Sequence, residues 1–281
     1  MRPIEQTTAL VTGATDGIGR GVAKRLAQLG ATVLLHGRSR ARLDETLADL
    51  HESTGNERLR AVRADFSSLP EVSALVDEVL RTTDALHVLV NNAGIAIGLP
   101  DGRRDERRES SDGYELRFAV NYLAGFALTQ GLLPLLRRSA PARIVFVAAG
   151  WQVPIDFDDP QITRDYDGGR AYAQSKLAQV TYAMALAERL PADEVTVTSL
   201  HPGSLMPTKI VLEEFDTTED TIEDGIESVI HAAVAPELEG VTGEFFLRLD
   251  PARADEHAYD PETRRRLWEL SERLVAGAHR L

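Results

Sequence analysis

The run Thr8-Ala9-Leu10-Val11-Thr12-Gly13-Ala14-Thr15-Asp16-Gly17-Ile18-Gly19 restricts the fold of this chain more than any other segment. Thr8–Thr12 reads as a buried strand, and a helix is expected from Gly17 to about Leu29. Between them, Gly13 permits a tight turn. Gly17 and Gly19 let an anion approach the N–H groups at the helix N-terminus, where the dipole favours negative charge. The spacing is Gly-x3-Gly-x-Gly rather than Gly-x-Gly-x2-Gly, and a plain strand-to-helix turn has the same composition. The surroundings must therefore decide between them.

Those surroundings alternate strictly. Further strands are predicted at Thr32–His36, Leu59–Arg63, Leu86–Val90, Ile144–Val147 and Val195–Leu200, with a last one near Gly243–Leu247. Helices are predicted from Ser39 to about Ser53, around Val72, Leu75, Val76 and Val79, over Leu116–Leu136 and over Ala171–Leu190. Such alternation means parallel strands joined by right-handed crossovers. The expectation is an α/β chain with a doubly wound parallel sheet of about seven strands. It forms one domain over 1–281, and Pro261 opens a C-terminal helical extension over 261–278.

Bulk properties exclude several classes of function. With 43% hydrophobic residues and no cysteine, the 281-residue chain can build a core but no disulfide, thiolate nucleophile or cysteine metal site. A net charge of −13 disfavours nucleic acid and anionic membranes as partners. The histidines show no helical ligand spacing, so no metal is expected. No run is read as reaching the roughly 18 apolar residues of a membrane span, and the N-terminus lacks a signal-like stretch. A cytoplasmic location is expected.

Three stretches interrupt the alternation and are read as lids: 98–112, 151–169 and 204–224. The first is rich in Arg and acids. The second carries Asp156, Asp158, Asp159, Asp165 and Asp167, read as a solvated loop rather than as paired catalytic carboxylates. The third follows a strand at its carboxyl end, where open α/β sheets bind ligands. Trp151, Phe157, Tyr166, Leu205 and Met206 suit either an apolar substrate pocket or packing of these lids.

At the end of the second strand stands Arg38, followed by Ser39, where an acid would accept hydrogen bonds from ribose hydroxyls. A guanidinium cannot accept them, but it forms charge-assisted bonds to a 2′-phosphate. Arg40 and Arg42 are expected to reinforce that field. NADP(H) is the predicted cofactor.

With Thr12–Gly19, Asp65, Asn91-Asn92-Ala93-Gly94, Asn121, Tyr172-Ala173-Gln174-Ser175-Lys176 and Pro202-Gly203 in this order, the chain resembles the short-chain dehydrogenase/reductase superfamily over residues 7–250. The resemblance implies cofactor contacts from Gly13, Thr15, Asp16, Gly17, Ile18 and Gly19. It adds Asp65 and Phe66 beside the adenine, then Asn92, Ala93, Gly94, Pro202, Gly203 and Thr208. It also implies that Lys176 binds the nicotinamide ribose, that Asn121 supports a proton-relay water, and that assembly is as a homodimer or homotetramer. Spacing independently places Tyr172 and Lys176 on one helix face at i and i+4. A neighbouring ammonium favours the phenolate and tunes a phenol of ordinary pKa near 10 for proton transfer.

One position departs from the family. The family's serine after the fifth strand aligns with Ala149 in Val147-Ala148-Ala149-Gly150-Trp151. Losing an oxyanion donor typically costs about 10²–10³ in rate. Three readings stand. The substrate, for example a quinone, stabilises its own oxyanion; Gln152 or a water donates instead; or the protein binds NADP(H) with a weak or non-redox role. The leading expectation is an NADP(H)-dependent ketoreductase or quinone reductase. Its substrate would be a small lipophilic carbonyl or quinone, possibly of secondary metabolism.

Overall fold

The computed structural model describes residues 2–98, 106–208, 211–212 and 217–278. Among these residues eight strands form one sheet in the order β3-β2-β1-β4-β5-β6-β7-β8. They are β1 Thr8–Val11, β2 Thr32–Gly37, β3 Leu59–Arg63, β4 Val88–Asn91, β5 Ala142–Val147, β6 Val195–His201, β7 Phe245–Leu247 and β8 Asp250–Ala252. All neighbouring pairs are parallel except β7 and β8. The order reverses between β1 and β4, so a crevice opens at their carboxyl ends. The short antiparallel β8 exceeds the expected seven strands; its Asp-Pro-Ala carries no strand signal.

Helices cover both faces: α1 Gly17–Gln28, α2 Arg40–Thr54, α3 Leu69–Thr82, α4 Ala124–Arg138, α5 Gly168–Ala187, α6 Ile222–Val234 and α7 Pro261–Ala278. The pleat sorts each strand between two cores. Ala9, Val11, Val33 and Leu35 meet α1, α2 and α6 on one face. Leu10, Leu34, Leu89, Ile144 and Phe146 meet α3, α4, α5 and α7 on the other. Nearly every residue of α5 is buried, as expected of a helix without a polar face.

The helix predicted over Leu116–Leu136 is not uniform. Phe118–Leu123 forms a π-helical turn before α4. The span Phe118–Arg138 is long and apolar enough to cross a membrane, contrary to expectation, yet 67% of its apolar window is buried inside the protein. Its outer face is occupied by α7. The Trp268 ring lies 5.8 Å from Phe126 and 5.6 Å from Tyr182, with the Arg189 guanidinium 4.1 Å above it. The Tyr122 hydroxyl pairs with Ser271 at 2.5 Å. The C-terminal helix thus covers the flank that α4 and α5 would otherwise present.

The three predicted lids fare differently. Of 98–112, residues 99–105 lie outside the described residues. The remainder is tied down by the Glu109–Glu115 bridge and by Asp112, which accepts from the Leu69 N–H at 2.7 Å. The 151–169 stretch is not simply solvated. Asp159 is buried and accepts from the backbone of Thr163 and Arg164, which holds its carboxyl down at about 2. Asp156 accepts from the backbone of Asp158 and Asp159 and from Arg170, and Asp167 caps α5. In 204–224, residues 209–210 and 213–216 lie outside the described residues, and its end enters α6 through a Thr221/Asp224 capping box.

Candidate active site

The glycine turn is built as its spacing requires. Gly13 and Gly17 take positive φ, 67° and 49°. A Cβ at Gly19 would lie 2.3 Å from the Gly13 carbonyl oxygen, so close approach of helix and turn forbids any side chain there. The turn is held from below by Asn92, whose amide donates to the Thr12 carbonyl at 2.8 Å. The Thr12 hydroxyl accepts from the N–H groups of Asn92 and Ala93, each at 2.9 Å. Asn92 is therefore a strut between β4 and the turn. Asp16 caps α1 by accepting from the Gly17 N–H at 2.8 Å, the Thr15 methyl packs on Gly37, and Ile18 packs on Gly225 of α6.

Beneath the turn, buried His36 accepts from the Gly13 N–H at 3.4 Å through Nδ1 and faces the Ala64 carbonyl at 3.1 Å through Nε2. These partners fix the neutral tautomer with the proton on Nε2. Burial lowers its pKa to about 4. Phe66 stacks on this ring at 4.3 Å and is itself buried. Its side chain thus faces the core, leaving only its backbone to line the crevice. Asp65 is oriented by the Ser67 N–H and hydroxyl, both donating to Oδ1.

The expected cluster of positive charge reduces to one residue. Arg40 pairs with Asp44 and Arg42 with Asp16, each at 2.9 Å. Arg38 is exposed and makes no ion pair among the described residues. Ser39 is used as the α2 N-cap, accepting from the Arg42 N–H at 3.5 Å.

At the crevice centre, Lys176 is buried, donates to the Val147 carbonyl at 3.1 Å, and lies 5.6 Å from the Tyr172 ring centroid. Desolvation lowers its pKa to about 8. Position 94 sits beside it: a Cβ on Gly94 would lie 3.3 Å from Asn121 Oδ1 and 3.7 Å from the Lys176 Nζ. Asn121, on the π turn, accepts from the Ile95 N–H at 2.7 Å. It donates to the Ile95 carbonyl at 3.1 Å and to Ser175 Oγ at 3.0 Å. Both amide hydrogens are thereby committed, and one lone pair of Oδ1 remains for a water. Gly94, Asn121, Tyr172 and Lys176 thus lie together in the crevice.

Arg117, fully buried, continues the clamp begun by Asn121. It donates to the carbonyls of Ala96 (2.9 Å) and Ile97 and to the Tyr166 hydroxyl (2.5 Å), which in turn donates to Glu115 at 2.8 Å. Tyr166 therefore packs rather than faces a pocket. Phe157 lies under the Arg266 guanidinium, and Met206 packs on Gly225. Of the five apolar pocket candidates, Trp151 remains at the mouth: it is 51% exposed, and its ring stands 6.4 Å from that of Tyr172. Leu205 is half-buried with φ 43°.

Ala149 is buried, and its carbonyl accepts from Gln152 Nε2 at 2.7 Å, while Gln152 Oε1 accepts from the Asp255 N–H at 3.0 Å. Gln152 bridges Ala149 to the C-terminal segment, with one of its two amide hydrogens committed to the Ala149 carbonyl. Pro202 and Gly203 are buried behind β6, and Thr208 lies over Gly17, where a Cβ would meet its methyl at 3.2 Å. The segment after β6 thus crosses the phosphate turn. His201 and Ser204, which reasoning from motifs passed over, join here at 3.2 Å. A lone histidine at a strand end carries no spacing signal. No group of three or more acids or histidines suited to a metal occurs among the described residues.

Comparison with known proteins agrees with this geometry. Residues 7–219 match the short chain dehydrogenase family. The chain is 34% identical to human Retinol dehydrogenase 14 over 95% of its own length and 86% of the relative's. It is 32% identical to human Polyprenol dehydrogenase, over 96% and 85% respectively. A short chain dehydrogenase from Escherichia coli CFT073, solved in complex with NADPH, superposes with a TM-score of 0.70 at 27% identity, over 87% of this chain and 97% of that one.

Proposed function

From the premise that this chain belongs to the short-chain dehydrogenase family and is an oxidoreductase, we propose that it uses NADP(H) to interconvert an alcohol and a carbonyl on a lipophilic small molecule. The observation that carries the reading is the buried Lys176 ammonium held 5.6 Å from the Tyr172 ring, on adjacent turns of α5. The cradle fits the cofactor. The glycine turn excludes side chains where a pyrophosphate would lie, and Arg38 is an exposed guanidinium at the end of β2.

A bound nicotinamide supplies or accepts the hydride. The chain's own residues manage the proton and the geometry. In reduction the Tyr172 hydroxyl gives its proton to the carbonyl oxygen as the carbon gains hydride; in oxidation the phenolate takes it back. The Lys176 ammonium favours that phenolate through its positive charge in a dry setting. Asn121 fixes the Ile95 backbone opposite and keeps one lone pair for a relay water.

The retinol and polyprenol named in the relatives are both allylic alcohols with long apolar tails. We therefore place conjugated aldehydes ahead of quinones and ketones as substrates. Exposed Trp151 beside Tyr172 offers the apolar contact such a tail requires. The second reading, a weak or non-redox NADP(H)-binding protein, is favoured only by Ala149. The test is NADPH absorbance against a panel of all-trans-retinal, aliphatic ketones and quinones. Turnover fastest on the conjugated aldehyde supports the proposal. Binding without turnover across the panel favours the second reading.

A further inference from the structure

Ala149 leaves the substrate oxygen without the hydroxyl that the fifth strand supplies in the family, and Gln152 has its Oε1 and one amide hydrogen committed to Asp255 and Ala149. The segment after the neighbouring strand carries another hydroxyl, that of Ser204, which reaches Gly150 through His201. β5 and β6 pair in parallel up to Val147 beside Leu200, and the Ala148 N–H donates to the Leu200 carbonyl at 2.8 Å, so His201 follows beside the end of β5. The His201 imidazole packs on Gly150: a Cβ there would lie 3.3–3.5 Å from its Cδ2, Cγ and Nε2. The same Nε2 is 3.2 Å from the Ser204 hydroxyl.

Ser204 is held firmly. Its N–H donates to Asp220 Oδ2 at 2.7 Å and its carbonyl accepts from the Asp220 N–H at 3.1 Å. Asp220 pairs with Arg248, whose own N–H donates to the His201 carbonyl at 2.8 Å. The circuit His201–Ser204–Asp220–Arg248 closes on itself across β6, the segment after it and the β7–β8 turn. Its backbone is strained at two non-glycine positions, Leu205 (φ 43°) and Arg248 (φ 57°). Such strain persists where surroundings over-determine the conformation, and it clusters at functional sites. Burial lowers the His201 pKa, which favours the neutral imidazole.

We infer that Ser204 is the hydroxyl that binds the substrate oxygen in place of the absent serine, with His201 as the residue that positions it. His201 donates its Nε2–H to Ser204 Oγ, which frees the hydroxyl proton to hydrogen-bond the oxygen on which negative charge develops. No bond to Ser204 forms or breaks; Tyr172 still transfers the proton. The inference rests on the dehydrogenase reading above, and it places the oxygen-binding donor in the segment that follows the neighbouring strand.

The experiment measures kcat and KM with NADPH and all-trans-retinal for the unmodified protein, Ser204→Ala, Ala149→Ser and Ser204→Ala/Ala149→Ser, with NADPH affinity by fluorescence as a check on folding. Ser204→Ala is expected to lower kcat by about 10²–10³-fold, with NADPH affinity unchanged. Ala149→Ser is expected to restore most of that loss in the double variant while adding little on its own. His201→Gln, which keeps an N–H donor, is expected to retain more activity than His201→Leu. A fully active Ser204→Ala overturns the assignment, and so does a loss that Ala149→Ser fails to rescue. An unmodified protein inactive on every panel compound overturns the dehydrogenase reading itself, and this assignment with it.

Discussion

The ammonium of Lys176 is buried 5.6 Å from the centre of the Tyr172 ring and donates to the Val147 carbonyl at the end of β5. Desolvation by burial brings its pKa down to about 8. A cation held in so dry a place costs stability, and in the proposed mechanism its field acts on the phenol.

That cost is measurable. The folded pKa lies below the unfolded one, so the unfolded chain holds the proton between about pH 8 and 10.5 and stability rises with pH across that window. Lys176→Met removes the desolvation cost and is expected to stabilise the protein at pH 7 by about 1–3 kcal/mol. Calorimetry would show this as a higher Tm. The same variant is expected to lose activity, and the activity of the unmodified protein to fall as pH rises through about 8.

Among the described residues Arg38 is an exposed cation at the end of β2 without an ion pair, whereas Arg40 and Arg42 are paired. Charge-assisted hydrogen bonds are worth about 1.5–3 kcal/mol. Arg38→Ala is therefore expected to lower kcat/KM for NADPH by roughly 10–150-fold and to leave that for NADH nearly unchanged. Steady-state kinetics with both cofactors checks it; equal losses for the two would refute a 2′-phosphate role.

His36 supports the turn only when neutral, since Gly13 donates to one nitrogen and Ala64 accepts from the other. Its folded pKa of about 4 lies below the ordinary 6.5. Its contribution is thus complete above pH 6.5 and is lost as pH falls toward 4. Between pH 7 and 5 the linkage amounts to about 2 kcal/mol. Urea unfolding at the two pH values should show that loss in the unmodified protein and not in His36→Gln.

Arg117 and Glu115, both fully buried, join the Ala96–Ile97 carbonyls and half-buried Tyr166. Removing one member of a buried charged group typically costs about 3–5 kcal/mol. Arg117→Met is expected to fall in that range and Tyr166→Phe near 1 kcal/mol, both read from denaturant midpoints.

Much of the fold was legible because its signals are local. Strand–helix alternation located the strands from β1 to β7 to within a residue or two at most ends. The glycine turn and the Tyr172/Lys176 spacing located the crevice. What escaped depends on through-space partners. Phe118–Leu123 reads as plain apolar helix, and nothing in it announces a π turn or the clamp of Asn121 on Ile95. Asp156 and Asp159 look solvated in a string of acids, yet they are consumed by their own loop's N–H groups. The start of α6 did have a signal, Thr221-x-x-Asp224 ahead of an apolar run, and it was absorbed into an expected lid. The His201–Ser204 contact had none, since only the return of the segment after β6 brings the two side chains together.

The most direct test of the account is the rate of NADPH oxidation with all-trans-retinal by the unmodified protein and by Tyr172→Phe, with cofactor affinity measured alongside. Loss of the proton donor is expected to lower the rate at least about 10²-fold while Kd for NADPH changes little. Equal rates in the two proteins, or no complex with NADPH in either, would contradict it.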